Sequence, residues 1–194
     1  MDAGDYFLMV HKEAHLWAKA RRVMTVPTVE QWRAMLPGHN SIAWCVWHCA
    51  QTEDWGVSAL RGDEMLVRRD GWEDRLGFAW PTFGMGMSTE DVERLSEAID
   101  LDAVRGYYEA VYAETRRFAR GFDFDTLETP LDPRVRRHAL ALVGGDEAMR
   151  AFIEGPEWLL PRTYLNVCAL MDVYYHLDEA EHMLRMLLPD QRFT

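Results

Sequence analysis

An acid and a histidine stand four residues apart near the end of the chain, in the stretch MDVYYHLDEAEH. On a helix, Asp172 and His176 would share one face, because residues four apart lie one above the other. A carboxylate and an imidazole are common ligands of divalent metals, and they also form ion pairs without a metal. The spacing therefore leaves two interpretations open: part of a metal site, or a polar seam on a packed helix.

A second group of candidate residues lies much earlier, in SIAWCVWHCAQTEDW. His48 shares a helix face with several polar or soft side chains, and the later helix carries Cys168 and Glu179 beside Asp172 and His176. Both faces are otherwise apolar, so they are expected to turn inward, where an unpartnered charge is costly. The neighbours of His48 on this face are Cys45, Cys49 and Thr52, with Trp44 and Trp55 beside them.

Two imidazoles and one carboxylate, from His48, Asp172 and His176, could hold a metal between two helices. Such a set suits Zn²⁺ with an open coordination position. It also suits Fe²⁺ in a two-histidine, one-carboxylate arrangement. The alternative is that Asp172 accepts a hydrogen bond from one of the two histidines and that no metal binds.

Other side chains are weaker candidates for the pocket. The three cysteines could supply a soft ligand or a nucleophile, although a buried cysteine more often packs as a small apolar residue. Glu179 is placed to orient an imidazole of the site. His11 and His15 form another pair four residues apart, predicted at the pocket edge or surface, but HKEAH is not the H-E-x-x-H motif of metalloproteases.

Three further acids are predicted to lie off the site. Glu53 and Asp54 are offset from the face of His48, and one of them could pair with Arg61 or with a neighbouring helix. Glu181 is expected at a solvated position. These acids would then contribute to the packing of helices and to solubility.

Length and composition restrict the class of protein. The 194 residues, 48% hydrophobic and 27% charged, suit one globular domain covering 1–194. The net charge of −11 argues against nucleic acid and anionic membranes as partners. No apolar run could span a bilayer and no signal peptide is visible, so a cytoplasmic protein with reduced cysteines is expected. The eight Trp and eleven Met could line a pocket for a small-molecule substrate or an interface in a homodimer.

Helical patterns dominate the chain. Long helices are predicted at 4–23, 41–62, 100–121 and 157–188, and short ones begin at 28, 88, 134 and 146. Capping residues such as Thr28 and Ser88, and the stop at Gly62, set several of these limits. The Gly- and aromatic-rich residues 64–87 are predicted as one long loop. With no strand pattern, the sequence predicts an all-α four-helix bundle with crossover connections and additional short helices.

Two motifs and an insertion carry a family resemblance. SIAWCVWHCAQTEDWGVSAL places a histidine after an Ile-Ala-Trp run and a Glu-Asp pair five residues later. YYHLDEAEHMLRMLL places a histidine before an apolar helix end, and RLGFAW…GMGMSTEDV lies between the two. With these features the sequence resembles the DinB-like (damage-inducible) superfamily over most of its length.

The resemblance implies a metal site. The usual ligands of this family are one histidine on the second helix and an H-x3-H pair on the last helix. His48 matches the first of these and His176 matches the second histidine of the pair. Asp172 stands in place of the other histidine, and Asp178 replaces a typical glycine. Either the carboxylate binds Zn, Ni or Fe in a site of lower net charge, or the site has lost its metal.

The resemblance also implies a chemistry. The family includes metal-dependent transferases that use low-molecular-weight thiols such as mycothiol or bacillithiol, and thiol-dependent isomerases. In the implied mechanism the metal lowers the pKa of a cosubstrate thiol, which attacks an electrophile held under the aromatic loop. One alternative is a metal-free binding protein or acid/base enzyme that uses Asp172 and His176 as a hydrogen-bonded pair. Another is a structural dimer without chemistry.

Overall fold

A computed structural model describes residues 1–11, 16–80, 83–145 and 147–188, the side chain of Ala148 excepted. Over these ranges the chain is helical and contains no strand, which confirms the predicted all-α helical bundle. The helices are α1 (Ala3–His11), α2 (Leu16–Thr25), α3 (Val29–Arg33), α4 (Ile42–Arg61), α5 (Leu66–Arg69), α6 (Trp72–Leu76), α7 (Thr89–Ala98), α8 (Leu101–Gly121), α9 (Pro133–Leu142), α10 (Glu147–Ile153), α11 (Pro161–Thr163) and α12 (Asp172–Leu187).

The helix α4 is the centre of the bundle. Every residue from 42 to 59 is buried, and the helix packs against α8 on one side and against the C-terminal helix on the other. The fourth member of the bundle is the N-terminal arm, in which α2 packs on α12 and α1 packs on α8. Because α4 is covered on all sides, each of its polar side chains needs a partner inside the protein.

Local capping chemistry sets the ends of several helices where the sequence predicts them. The Ser41 hydroxyl accepts a hydrogen bond from the N–H of Trp44 at the start of α4, and Gly62 closes the helix in the left-handed conformation. Thr28 and Ser88 each form a capping box with the residue three positions later. These caps fix the register of the helices that carry the site.

The segment predicted as one long loop at 64–87 is partly helical, which corrects that prediction. Its first half contains α5 and α6, and the irregular backbone begins at Gly77. The physical cause is Asp54, buried in α4, whose carboxylate accepts the N–H groups of Leu66 and Val67 at the start of α5. Only the residues after α6 form the irregular stretch beside the site.

The two terminal helices differ from the prediction in their continuity. The helix predicted at 4–23 is described as α1 and α2, and residues 12–15, including His15, lie outside the described residues. The C-terminal helix, predicted from 157, begins at Pro161, after a short 3-10 turn at Pro156–Leu159. Between α11 and α12 the backbone is π-helical over Tyr164–Met171, a form that is rare and often found at functional sites. The change back to α-helix falls at Asp172.

Two acids beside the predicted site are buried within the bundle, on another side of α4. Glu53 accepts a hydrogen bond from Nε2 of His11 at 2.8 Å, and this ring is stacked between Phe7 and Tyr112. Asp54 also accepts the hydroxyl of Tyr107 at 2.7 Å. Pairing with a neighbouring helix is therefore correct and pairing with Arg61 is wrong, since Arg61 binds Glu114 instead.

Glu181 is buried, contrary to the expectation of a solvated position. Its carboxylate lies 2.7 Å from Arg22 and 3.7 Å from Lys19, both on α2. These ion pairs fasten α12 to the N-terminal arm. Within the described ranges, none of the helices combines the length and apolar character that crossing a bilayer requires.

The close approach of α4 to the π-helical segment depends on Gly56. A Cβ atom at this position would lie 2.6 Å from Cβ of Cys168 and 3.3 Å from the carbonyl oxygen of Tyr164. We expect Gly56→Ala to lower the free energy of unfolding by about 1–3 kcal/mol, because the overlap outweighs the better helix propensity of alanine. Chemical denaturation measures this. The control is Gly121→Ala at the end of α8, where an added Cβ atom would have no neighbour within 4 Å, and it should not destabilise the protein. Equal losses of stability in both variants would contradict the packing argument.

Candidate metal centre

The orientation of the His48 ring is fixed by a main-chain group. Its Nδ1 atom is hydrogen-bonded to the carbonyl oxygen of Phe83, and its ring is stacked on Trp44 with centroids 4.5 Å apart. A carbonyl oxygen can only accept, so Nδ1 must carry the proton. In the neutral imidazole, the lone pair is then on Nε2, which faces the C-terminal helix.

The His176 ring is oriented in the same way, with a carboxylate in place of the main-chain carbonyl group as the acceptor for Nδ1. Nδ1 of His176 donates to Oε2 of Glu179 at 3.0 Å, while Oε1 of Glu179 accepts from the backbone N–H of Asn40 at 2.9 Å. Burial acts to raise the pKa of Glu179, but the hydrogen bonds from His176 and Asn40 lower it to about 2. The carboxylate is therefore an acceptor at neutral pH, and Nε2 of His176 is left without a proton when the ring is neutral.

The two Nε2 atoms converge on the carboxylate of Asp172. Nε2 of His48 lies 3.2 Å from one carboxylate oxygen, and Nε2 of His176 lies 3.8 Å from the other. The His48 contact is close, but its alignment leaves Oδ2 of Asp172 buried without a hydrogen bond. Burial would raise the pKa of Asp172, yet the contact with His48 and the charge of His176 hold it below its usual range.

This donor set fits a divalent cation. One ligand atom from each of His48, Asp172 and His176 lies within 4.8 Å of the others. Lone pairs and a negative oxygen repel one another unless a proton or a cation stands between them. Imidazole nitrogen and carboxylate oxygen are suitable ligands for Zn²⁺, Fe²⁺ or Ni²⁺. In both histidines Nδ1 donates a hydrogen bond to an acceptor, as is usual for histidines that bind a metal through Nε2.

The three cysteines and His11 lie at different positions relative to this centre. Cys168 lines the cavity above it, whereas the thiol of Cys49 faces the carbonyl oxygen of Val173 at 3.7 Å. Cys45 lies close enough to His176 and Glu179 to form a second group of possible ligands. Burial, reinforced by nearby carboxylates, raises the pKa of all three thiols well above the usual value, so they are poor nucleophiles. His11, predicted at the pocket edge, is absent from the cavity lining because it is buried against Glu53.

A cavity of about 380 Å³ opens over the centre. Its walls come from α4, from the irregular residues 83–87, from α10 and the turn after it, and from the C-terminal helix. About half of the lining residues are aromatic or methionine. Trp44 forms one wall, and its indole N–H contacts the sulfur of Met87 at 3.2 Å. The predicted Trp44, His48, Cys168, Asp172 and His176 meet here.

Two contributors are missing from the predicted set of site residues, and a third, Thr52, is predicted only as a neighbour of His48. Phe83 acts through its main-chain carbonyl, which no side-chain pattern reveals. Asn40 comes just before α4, and its contact with Glu179 joins segments 139 positions apart. Thr52 lies on the predicted face, at the cavity wall, and its hydroxyl helps to lower the pKa of Asp172.

The role of Glu179 gives a direct prediction. In Glu179→Gln, one of the two oxygen acceptors becomes an N–H₂ donor, which opposes the donors of His176 or Asn40. We expect the affinity for Zn²⁺ to fall by about 10–100-fold, the usual cost of losing an outer partner of a ligand. Competition with a chromophoric chelator measures this. Glu109→Gln, at an exposed position of α8, is the control, and an unchanged affinity in Glu179→Gln would remove Glu179 from the site.

Comparison with known proteins identifies the family of this helical bundle. The family model described as DinB superfamily matches residues 14–151. The chain belongs to the DinB superfamily. The matched range contains His48 and ends before Asp172 and His176.

Comparison with solved structures concerns the fold. The crystal structure of a conserved protein from Enterococcus faecalis superposes with a TM-score of 0.71 and 17% sequence identity, covering 98% of this chain and 99% of the other. At this identity the likeness establishes the same bundle architecture. No curated protein matches the sequence.

Proposed function

We propose that this protein is a metal-dependent enzyme of the DinB type, which adds or transfers a small thiol to an electrophilic small molecule. The metal ligands would be His48, Asp172 and His176, and the cation would be Zn²⁺, Ni²⁺ or Fe²⁺. When bound, such a cation would supply Lewis acidity that lowers the pKa of a thiol at the site.

The observation that carries the proposal is the convergence of two Nε2 atoms on one carboxylate. Both imidazoles have Nδ1 committed to an acceptor, Phe83 in one case and Glu179 in the other. In an ordinary ion pair or hydrogen bond between an acid and a histidine, one imidazole is enough, and an N–H of that ring donates to the carboxylate. Two rings held with their lone pairs toward the same point are the arrangement of a metal centre.

The residues around the centre would position the reactants. The aromatic wall formed by Trp44, Trp55 and Phe83 would give an apolar substrate a surface to pack on. The Thr52 hydroxyl lies at the same wall, where it interacts with the carboxylate of Asp172. Asp172, at 27% side-chain exposure, is the member of the centre most open to the cavity.

The second candidate is a metal-free enzyme or binding protein on the same bundle. Its support is the 3.2 Å contact between His48 and Asp172, which a proton on His48 would turn into an ion pair. The pair first considered, Asp172 with His176, is separated by 3.8 Å, longer than a hydrogen bond. An acid/base role would therefore use His48 as the partner of Asp172.

Metal analysis separates the two candidates. Protein purified without added metal is expected to contain about one equivalent of Zn, Ni or Fe, measured by mass spectrometry. Removal of the metal by a chelator should lower the melting temperature, because a ligand that binds only the folded state stabilises it. Metal-free protein that also resists loading with each of the three ions would exclude the first candidate.

A further inference from the structure

The cavity over the centre lacks positive side chains. Its polar lining consists of Asn40, Thr52 and the residues of the centre, and the rest is aromatic, aliphatic, cysteine, methionine or glycine. No lysine or arginine is present among the described lining residues. Pro81, Thr82 and Asp146, which adjoin this lining in sequence but are not described, are not basic residues.

Two basic residues of α2, Lys19 and Arg22, are paired with acids of α12. Lys19 lies 2.5 Å from Asp178, and Arg22 lies 2.7 Å from Glu181. These side chains are held by carboxylates that do not line the cavity. They are therefore not available to balance a negative ligand.

The centre itself offers little positive charge to a ligand. A divalent cation there would be balanced by the two carboxylates of Asp172 and Glu179. A negatively charged group entering the cavity would lose its water and gain no compensating partner, which is costly. An uncharged ring would instead pack on the aromatic chain in which Trp55 contacts Trp158 at 5.4 Å and Trp158 contacts Phe152 at 5.3 Å between centroids.

We propose that this cavity selects ligands that enter uncharged and have a flat apolar body, and that it excludes ligands bearing a carboxylate, sulfonate or phosphate. The inference extends the proposed function, because it requires a thiol cosubstrate that carries no carboxylate or phosphate. Its charge selectivity follows from the lining alone and can be tested whether or not a metal is bound.

The test uses two probes of similar shape, 2-naphthol, which is neutral at pH 7, and 2-naphthalenesulfonate, which is an anion and a weak metal ligand. Isothermal titration calorimetry should give an affinity for 2-naphthol at least about tenfold higher, given the cost of burying an unpaired charge. Equal affinities, tighter binding of the sulfonate, or no binding of 2-naphthol at millimolar concentration would overturn the proposal.

A gain-of-charge variant locates the effect. Phe152 lines the cavity and is 46% exposed, so Phe152→Arg adds a cation at the cavity edge without a buried charge. It should raise the affinity for the sulfonate about tenfold while changing that for 2-naphthol less than about threefold. Val29→Arg, at an exposed position of α3, adds the same charge and should leave both affinities unchanged. If the two variants behave alike, the selectivity does not come from this cavity.

Metal content, measured on the same samples, keeps the two proposals apart. Protein that contains no metal and resists loading, yet still prefers 2-naphthol, would contradict the proposed function and support the charge selection. Protein that contains one equivalent of metal and binds both probes equally would support the proposed function and contradict the charge selection.

Discussion

Replacing Asp172 by asparagine is expected to cost far more metal affinity than any change outside the ligand set. Asparagine keeps the shape of the side chain but removes its negative charge, and a neutral amide oxygen is a poor ligand for Zn²⁺. The affinity should fall by more than the roughly 10–100-fold that the loss of an outer partner costs. Competition titration with a chromophoric chelator measures the change.

Asp172→His is the informative companion of this variant. It restores the two-histidine spacing that the resemblance associates with the C-terminal helix, and a neutral imidazole can replace the carboxylate as a ligand. We therefore expect Asp172→His to keep the metal where Asp172→Asn loses it. The control is Asp178→Asn, on the same helix, where the 59% exposed carboxylate pairs with Lys19, and it should keep wild-type affinity.

The opposite pattern would identify an ion pair. If Asp172 only balances a protonated His48, the wild-type protein binds no metal and Asp172→Asn changes only its stability. Asp172→His would then place a third imidazole against two others and lower the melting temperature. If the Asp172→His protein is stable and binds no metal, the carboxylate of Asp172 does not occupy the place of a metal-binding histidine.

The fold could be predicted because its signals are local. Periodicity and capping residues such as Ser41 and Gly62 specify α4 almost to the residue. The π-helical stretch could not be predicted, since the apolar pattern of YLNVCALM would suit an α-helix as well. Its form depends on packing against α4, including the space left by Gly56.

The site could be predicted where it consists of side chains on regular helices. His48, Asp172 and His176 were identified by spacing and by the family resemblance, and the structure brings their ligand atoms together. The misplaced residues are those whose partners come from distant segments. His11 is hydrogen-bonded to Glu53, and Glu181 forms an ion pair with Arg22 on α2. Neither contact has a local signal in the sequence.

The conformation of Gly84 should control both the stability of the loop and the metal centre. The residue has φ of +98°, and a Cβ atom there would lie 2.9 Å from the ring of Trp47 and 3.0 Å from that of Trp44. Both indoles are buried, so the loop would have to move away from them. Its neighbour Phe83 would then withdraw the carbonyl group that orients His48.

We expect Gly84→Ala to lower the free energy of unfolding by about 2–4 kcal/mol, from the left-handed backbone and the overlap together. The affinity for Zn²⁺ should also fall by about 10–100-fold, because His48 loses the acceptor for its Nδ1 proton. Denaturation and chelator competition measure the two effects separately. Loss of stability without loss of metal affinity would mean that Phe83 does not orient the ligand.

Gly86→Ala is a matched control for this variant. Gly86 lies in the same loop with φ of +73°, but a Cβ atom there would meet nothing within 4 Å. The substitution therefore carries the backbone cost of about 1–2 kcal/mol without the overlap. Metal affinity should stay at the wild-type value, because the loop can remain on Trp44 and keep the Phe83 carbonyl at His48. The difference between the two variants thus isolates the contact between the loop and the indole rings as the support of the metal centre.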